Sequence, residues 1–123
     1  MKICVTSEGK TLDSRVDARF GRCRYFIIVD PESLEFEALE NPNTELSGGA
    51  GVGSGQFMSE KKVEVVLTGQ VGPNAFVTLN SAGIEVYTGV SGTVKEALDN
   101  YKMKRLNKAE KPSVNSKFGM KGG

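Results

Sequence analysis

The chain of 123 residues contains no histidine. That absence removes Cys/His zinc sites, serine–histidine and cysteine–histidine nucleophile pairs, and every acid–base role of an imidazole. Cysteine is scarce too, with Cys4 and Cys23 the only two. Two thiolates are too few for a four-cysteine metal site unless carboxylates, a second chain or an exogenous ligand complete it. No stretch approaches the roughly 20 apolar residues of a membrane span. No basic-then-apolar leader opens the chain, because Met1-Lys2-Ile3-Cys4-Val5 leads straight into a strand pattern. The expectation is a cytoplasmic protein with reduced thiols and no membrane partner. An excess of one charge is also missing, the formal net charge being +1. Residues 1–107 are slightly acidic, whereas residues 108–123 hold four lysines and one glutamate. An acidic body with few aromatic platforms argues against a nucleic-acid surface, despite the arginines at 19, 22 and 24.

What is present reads as one α/β domain. The length suits a single core, and 38% hydrophobic with 25% charged residues is ordinary for a globular chain. Lys2 to Ser7 forms a first strand with Cys4 as a small buried hydrophobe. Tyr25 to Asp30 is a second, strongly apolar strand. A turn at Asp30-Pro31-Glu32-Ser33 leads into a third, half-exposed strand whose polar face is acidic (Glu35, Glu37, Glu40). Five glycines fall between Gly48 and Gly55, ahead of a helix that can begin as early as Ala50. Glycine inside a helix costs about 1 kcal/mol against alanine, so these residues imply either a loop or close packing. Val63 to Leu67 is a buried strand, Gly69 and Gly72 relax the turn after it, and Pro73 opens a second helix. That helix stops at Ala82-Gly83, and Ile84 to Tyr87 is the last strand. Thr93 with Glu96 makes a capping box for a final helix, which carries Val94, Ala97, Leu98 and Tyr101 on one face and runs to about Leu106. From Asn107 the chain has no apolar period. The expected organisation is a domain over residues 1–106 and a disordered basic tail over 107–123.

This order predicts one mixed five-stranded sheet flanked by helices, in which the first, fourth and fifth strands are parallel. Their carboxyl ends would present Ser7, Thr68-Gly69-Gln70 and Thr88-Gly89 on one edge. The start of the second strand, Arg19 to Cys23, would lie beside them. Helix-start N–H groups, arginines and glycine turns on one edge suit an anionic ligand, and arginines there would lower the Cys23 pKa. No general base accompanies the thiol, so an enzyme is not expected. The glycine-rich segment lacks the lysine of a P-loop, and the carboxylates lack nuclease spacing.

The ordered marks Met1-Lys2-Ile3, Phe20-Gly21-Arg22, Glu40-Asn41-Pro42, Gly48-Gly49-Ala50-Gly51, Gly72-Pro73-Asn74-Ala75-Phe76, Ala82-Gly83-Ile84 and Gly92-Thr93-Val94 follow one another over some 100 residues. In these the chain resembles the dinitrogenase iron–molybdenum cofactor biosynthesis family of NifX-like carriers. The resemblance implies a ribonuclease-H-like three-layer fold. It also implies a non-catalytic carrier for an iron–sulfur or iron–molybdenum type cluster, working as a monomer or weak homodimer with a cluster donor or acceptor protein. Many members have a histidine before Phe-Gly-Arg, where this chain has Arg19. With imidazole ligation out of reach, Cys23 is the remaining metal ligand, and its loss in Cys23→Ser would be expected to empty the site. Arg19, Phe20, Gly21, Arg22, Gly48, Gly49, Gly51, Gly69, Gly72, Pro73, Asn74 and Gly89 are the implied cofactor-binding residues. The alternative is a regulatory or protein-interaction domain of the same family that has lost cluster binding.

Overall fold

The computed structural model describes residues 1–42 and 50–113. Its elements run β1 (Ile3–Ser7), β2 (Tyr25–Val29), β3 (Phe36–Glu40), α1 (Ala50–Glu60), β4 (Val65–Leu67), α2 (Pro73–Ser81), β5 (Glu85–Thr88), α3 (Val94–Lys102) and β6 (Asn107–Lys108). They form one mixed sheet in the order β3-β2-β1-β4-β5-β6. The pairs β1–β4 and β4–β5 are parallel, while β1–β2, β2–β3 and β5–β6 are antiparallel.

Strand alternation divides the core in two. Cys4, Phe26, Ile28, Val66 and Val86 face α1 and α2, where Met58, Ala75 and Leu79 cover them. Ile3, Val5, Ile27, Val29, Val65 and Leu67 face the other way, under Val94, Ala97 and Leu98 of α3. The central strands β1 and β4 are buried on both faces, which is why they read as continuous apolar runs. At the edge, β3 keeps Glu37 and Glu40 in solvent, but alternation puts them on opposite faces, Glu37 with Leu39 and Glu40 with Ala38, so the single acidic face expected from the sequence is not formed.

The helix ends follow the residues that mark them. Gly83 sits at φ 76°, its N–H donating to Asn80 O at 3.0 Å while the Ile84 N–H donates to Leu79 O at 3.0 Å. This is a Schellman closure of α2. Thr93 Oγ1 accepts from the Glu96 N–H at 3.1 Å, and Glu96 Oε1 accepts from the Thr93 N–H at 2.8 Å, completing the capping box of α3.

Two further expectations need correction. The sheet has six strands, not five, and α3 stops at Lys102 rather than near Leu106. Lys104 turns the chain at φ 59°, and Asn107 and Lys108 then pair with Thr88 and Tyr87. The Ala109 N–H donates to Val86 O at 2.7 Å, and Ser113 is joined to Val71 through both its N–H (3.0 Å to Val71 O) and its Oγ, which accepts from the Val71 N–H at 2.7 Å. Residues 107–113 are therefore an ordered strap and not the start of a tail; residues 114–123 lie outside the described residues. The strap escaped a hydropathy reading because backbone hydrogen bonds to a sheet edge hold it, and both β6 residues are exposed.

Candidate functional site

At the carboxyl edge of β1 and β4, the segment before β2 crosses the chain that leaves β4. The Gln70 N–H donates to Ala18 O at 2.6 Å and the Phe20 N–H donates to Gln70 O at 3.1 Å, so Arg19 runs parallel to Gln70. This crossing explains Gly69. A Cβ there would lie 2.7 Å from both Cα and O of Ala18, so backbone approaches backbone where only glycine fits. Gly89 serves the same seam, at φ 73° with its N–H donating to Gly69 O at 2.8 Å. Gly69 and Gly89 thus hold the edge together, and the Gly89 amide is occupied by Gly69.

The Asp17 carboxylate is nearly buried. Its Oδ1 accepts from the Arg19 N–H at 3.1 Å and lies 3.7 Å from Arg19 Nε, on a side chain that is 63% exposed. Arg19 therefore reaches solvent from a fixed base, and Arg22 is also exposed. Beneath them, Phe20 is buried against Phe26 with ring centroids 5.9 Å apart. Gly21, at φ 96°, makes the turn. The hydroxyls expected on this edge are internal instead. Thr6 Oγ1 and Thr68 Oγ1 share a hydrogen bond of 2.8 Å, Thr6 also donates to Asp17 O at 2.7 Å, and Ser7 Oγ donates to Gly9 O at 2.7 Å.

Cys23 departs from expectation. It is fully buried in the core cluster that also holds Cys4. Burial pushes its thiol far above the ordinary range, the Asp17 charge pushes it further, and Arg19 offsets only a little. The arginine-stabilised surface thiolate inferred from the sequence is thus replaced by a neutral internal thiol, because the arginines point to solvent while the sulfur points inward. Asn41 secures that arrangement. Its Nδ2 donates to Gly21 O and to Cys23 O, both at 3.0 Å, and lies 3.9 Å from Cys23 Sγ, while Ser54 Oγ donates to Asn41 Oδ1 at 3.5 Å. In the sequence Asn41 is a strand end before proline and part of the Glu40-Asn41-Pro42 mark, and neither signal reveals this long-range clamp; the role of Asp17 was missed as well.

The two helices that cover this face start together. A Cβ on Gly51 would meet Ala75 Cβ at 2.9 Å, and one on Gly55 would meet Thr78 Cγ2 at 2.7 Å. Advancing four residues along α1 advances three along α2, so the helices run side by side in the same direction. The glycines of α1 therefore allow close packing, and they bring the positive ends of two helix dipoles to one place. Gly72 is the N-cap of α2, with no side chain capping it, and Pro73 is the first helical residue. The Asn74 and Ala75 amides have no protein acceptor among the described residues, and Asn74 is exposed. Gly48 and Gly49 lie outside the described residues. The structure thus gathers Arg19, Gly51, Gly69, Gly72, Pro73 and Asn74 along one edge, and it puts Phe20 and Cys23 beneath that edge. Among the described residues no group of three or more His, Cys, Asp or Glu side chains is placed to hold a metal ion. An open cleft beside Arg22 and Arg24 contains Glu40, which makes it a poor anion pocket.

Comparison with known proteins bears on the family and the fold. Residues 1–104 match the family described as dinitrogenase iron-molybdenum cofactor. The orange protein from Desulfovibrio gigas, solved in its apo form, superimposes with a TM-score of 0.89 at 37% identity, covering 92% of this chain and 96% of that one. A Thermotoga protein of the DUF35 family, solved by NMR, gives 0.74 at 40% identity over 86% of this chain and 90% of its own. An uncharacterised protein of Methanocaldococcus jannaschii is 28% identical over 101 residues, which is 80% of this chain and 86% of that protein.

Proposed function

Since the chain belongs to the dinitrogenase iron–molybdenum cofactor family, we propose that it binds an anionic iron–sulfur or molybdenum-containing cluster where α1 and α2 begin, and carries it between a donor and an acceptor protein without catalysing a reaction. The observation that supports this most is the side-by-side start of two helices, packed through Gly51 and Ala75. Each helix start carries about half a positive elementary charge. The open amide of the exposed Asn74 can donate to sulfide or oxo groups, as helix starts do to other anions. Arg19, held by Asp17, adds a charged donor on the same edge. The chain therefore offers the cluster charge and hydrogen bonds rather than a cage of ligating side chains. Cys23 acts from below, as packing under the Arg19–Arg22 turn. In the same reading the order β3-β2-β1-β4-β5 is that of a ribonuclease-H-like core.

The test is anaerobic purification from a host replete in iron and molybdenum, with metal analysis and a visible absorption spectrum. The expected product is coloured, with near-stoichiometric metal that falls severalfold in Arg19→Ala/Arg22→Ala and persists in Cys23→Ala. Loss of colour in Cys23→Ala with the fold intact would restore direct thiolate ligation. A colourless, metal-free protein that also takes up nothing from iron, molybdate and sulfide would leave the interaction-domain reading in place.

A further inference from the structure

A second concave region lies on the opposite face of the sheet from α1 and α2. The end of α3, the turn after it and the β5–β6 ladder border a half-open cavity of about 460 Å³, lined by Tyr87, Tyr101, Lys102, Lys104, Leu106 and Lys108. Its size falls within the roughly 300–1,000 Å³ of small-molecule sites. The two tyrosines meet edge to face, with centroids 5.3 Å apart and planes at 83°. Both are half-buried against the α3-side core, as is Leu106. Glu85 fixes two members of the wall: its Oε1 accepts from the Tyr87 hydroxyl at 3.2 Å, and its Oε2 lies 3.8 Å from Lys108 Nζ. Lys108 is thereby neutralised. Lys102 and Lys104 are exposed, and neither has a carboxylate within ion-pair distance among the described residues.

Lysines at a helix end have a simpler explanation, since they complement the negative end of the dipole. That accounts for their sign, but not for an aromatic floor between them. Lys104 also occupies a left-handed position, φ 59°, where glycine or asparagine is usual. Lys62 closes α1 in the same way, so the backbone alone decides nothing. The combination of floor and rim decides more. A bare oligophosphate would not need two tyrosines and a leucine, and an uncharged ring would not need two uncompensated ammonium groups.

We propose that this cavity binds a nucleoside di- or triphosphate, with the base against Tyr87, Tyr101 and Leu106 and the phosphates on Lys102 and Lys104. Base–aromatic stacking tolerates any base, because every base has a π-face. The site is separate from the cluster edge, so either can fail without the other.

The experiment is calorimetric titration of the full chain with ADP, adenosine and pyrophosphate, with tyrosine emission as a second readout. The chain has no tryptophan and three tyrosines, so emission reports chiefly on this cavity. The expected result is one ADP per chain, bound at least about tenfold more tightly than either fragment. Tyr101→Leu should weaken ADP by about 5- to 100-fold. Lys104→Gly removes the charge while suiting the left-handed backbone, so it should keep the fold and still weaken ADP severalfold. No heat from ADP at millimolar concentration, pyrophosphate or adenosine binding as tightly as ADP, or unchanged binding in a folded Lys104→Gly would each overturn the proposal.

Discussion

Asn41 supports the candidate site from beneath. One side-chain amide donates to two carbonyls, Gly21 O and Cys23 O, and so sets the turn from which Arg22 projects. Alanine there would leave both carbonyls without that donor, and a buried acceptor left unpaired costs about 1–3 kcal/mol. Asn41→Ala should therefore lower unfolding stability by about 2–4 kcal/mol in urea titrations. Asn41→Asp should be worse at neutral pH, since a carboxylate cannot donate and would bring an unpaired charge against carbonyl oxygens. A variant within about 0.5 kcal/mol of the parent would mean that the clamp is dispensable. Gly69 shows the same separation of role from ligand contact. Its need for glycine was legible in the sequence, but the neighbour that imposes it is the backbone of Ala18, fifty-one residues earlier, and not a cofactor. Residue type announced the close approach; only the fold names what approaches.

At the scale of elements, the packing of α1 on α2 explains the glycines at 51 and 55 and carries the proposed cluster site. Alanine at position 51 would gain about 1 kcal/mol of helix propensity. Its Cβ, 2.9 Å from Ala75 Cβ and 3.3 Å from Ala75 N, would force the helices apart, and overpacking of this kind costs about 1–3 kcal/mol. The second effect wins because part of the obstacle is backbone. Gly51→Ala should destabilise the chain by about 1 kcal/mol net and separate the two helix starts, lowering cluster loading. Adding Ala75→Gly removes the facing Cβ. The double variant should regain loading while remaining less stable, since α2 now carries a glycine; loading that fails to recover would uncouple the helix starts from binding. The capping box of α3 and the closure of α2 at Gly83 were legible because local residues specify them. The strap from Asn107 to Ser113 was not, because its partners Val86 and Val71 are distant in sequence and its own side chains are mostly exposed.

The whole molecule is a sheet with two cores, and both thiols lie in the one beneath α1 and α2. The apolar runs that define the central strands made this layering readable, while the inward direction of Cys23 was not, since a six-residue stretch with three arginines points to a surface. Burial sets the consequence for stability. Cys4 and Cys23 are both held above the ordinary thiol value of 9.0, chiefly by desolvation, with the Cys23 charge adding at Cys4 and the Asp17 charge adding at Cys23. In the unfolded chain each thiol ionises near its ordinary value, whereas the folded chain keeps it protonated. Below pH 8 both states hold the proton and stability does not depend on it. Above pH 9 the unfolded state binds fewer protons than the native one, so unfolding becomes easier as pH rises, by up to about 1.4 kcal/mol per pH unit for each thiol. Tyr87 and Tyr101, also raised by partial burial, add to the slope only above pH 10. Urea midpoints should be level from pH 7 to 8 and fall between pH 9 and 10. Cys4→Ala/Cys23→Ala should start from a lower midpoint at pH 7, since two packed sulfurs are lost, yet show little decline over the same interval. A parent profile that stays level to pH 10 would mean that the folded chain ionises its thiols as readily as the unfolded one, and Cys23 would again be available as a thiolate to a cluster on the edge above it.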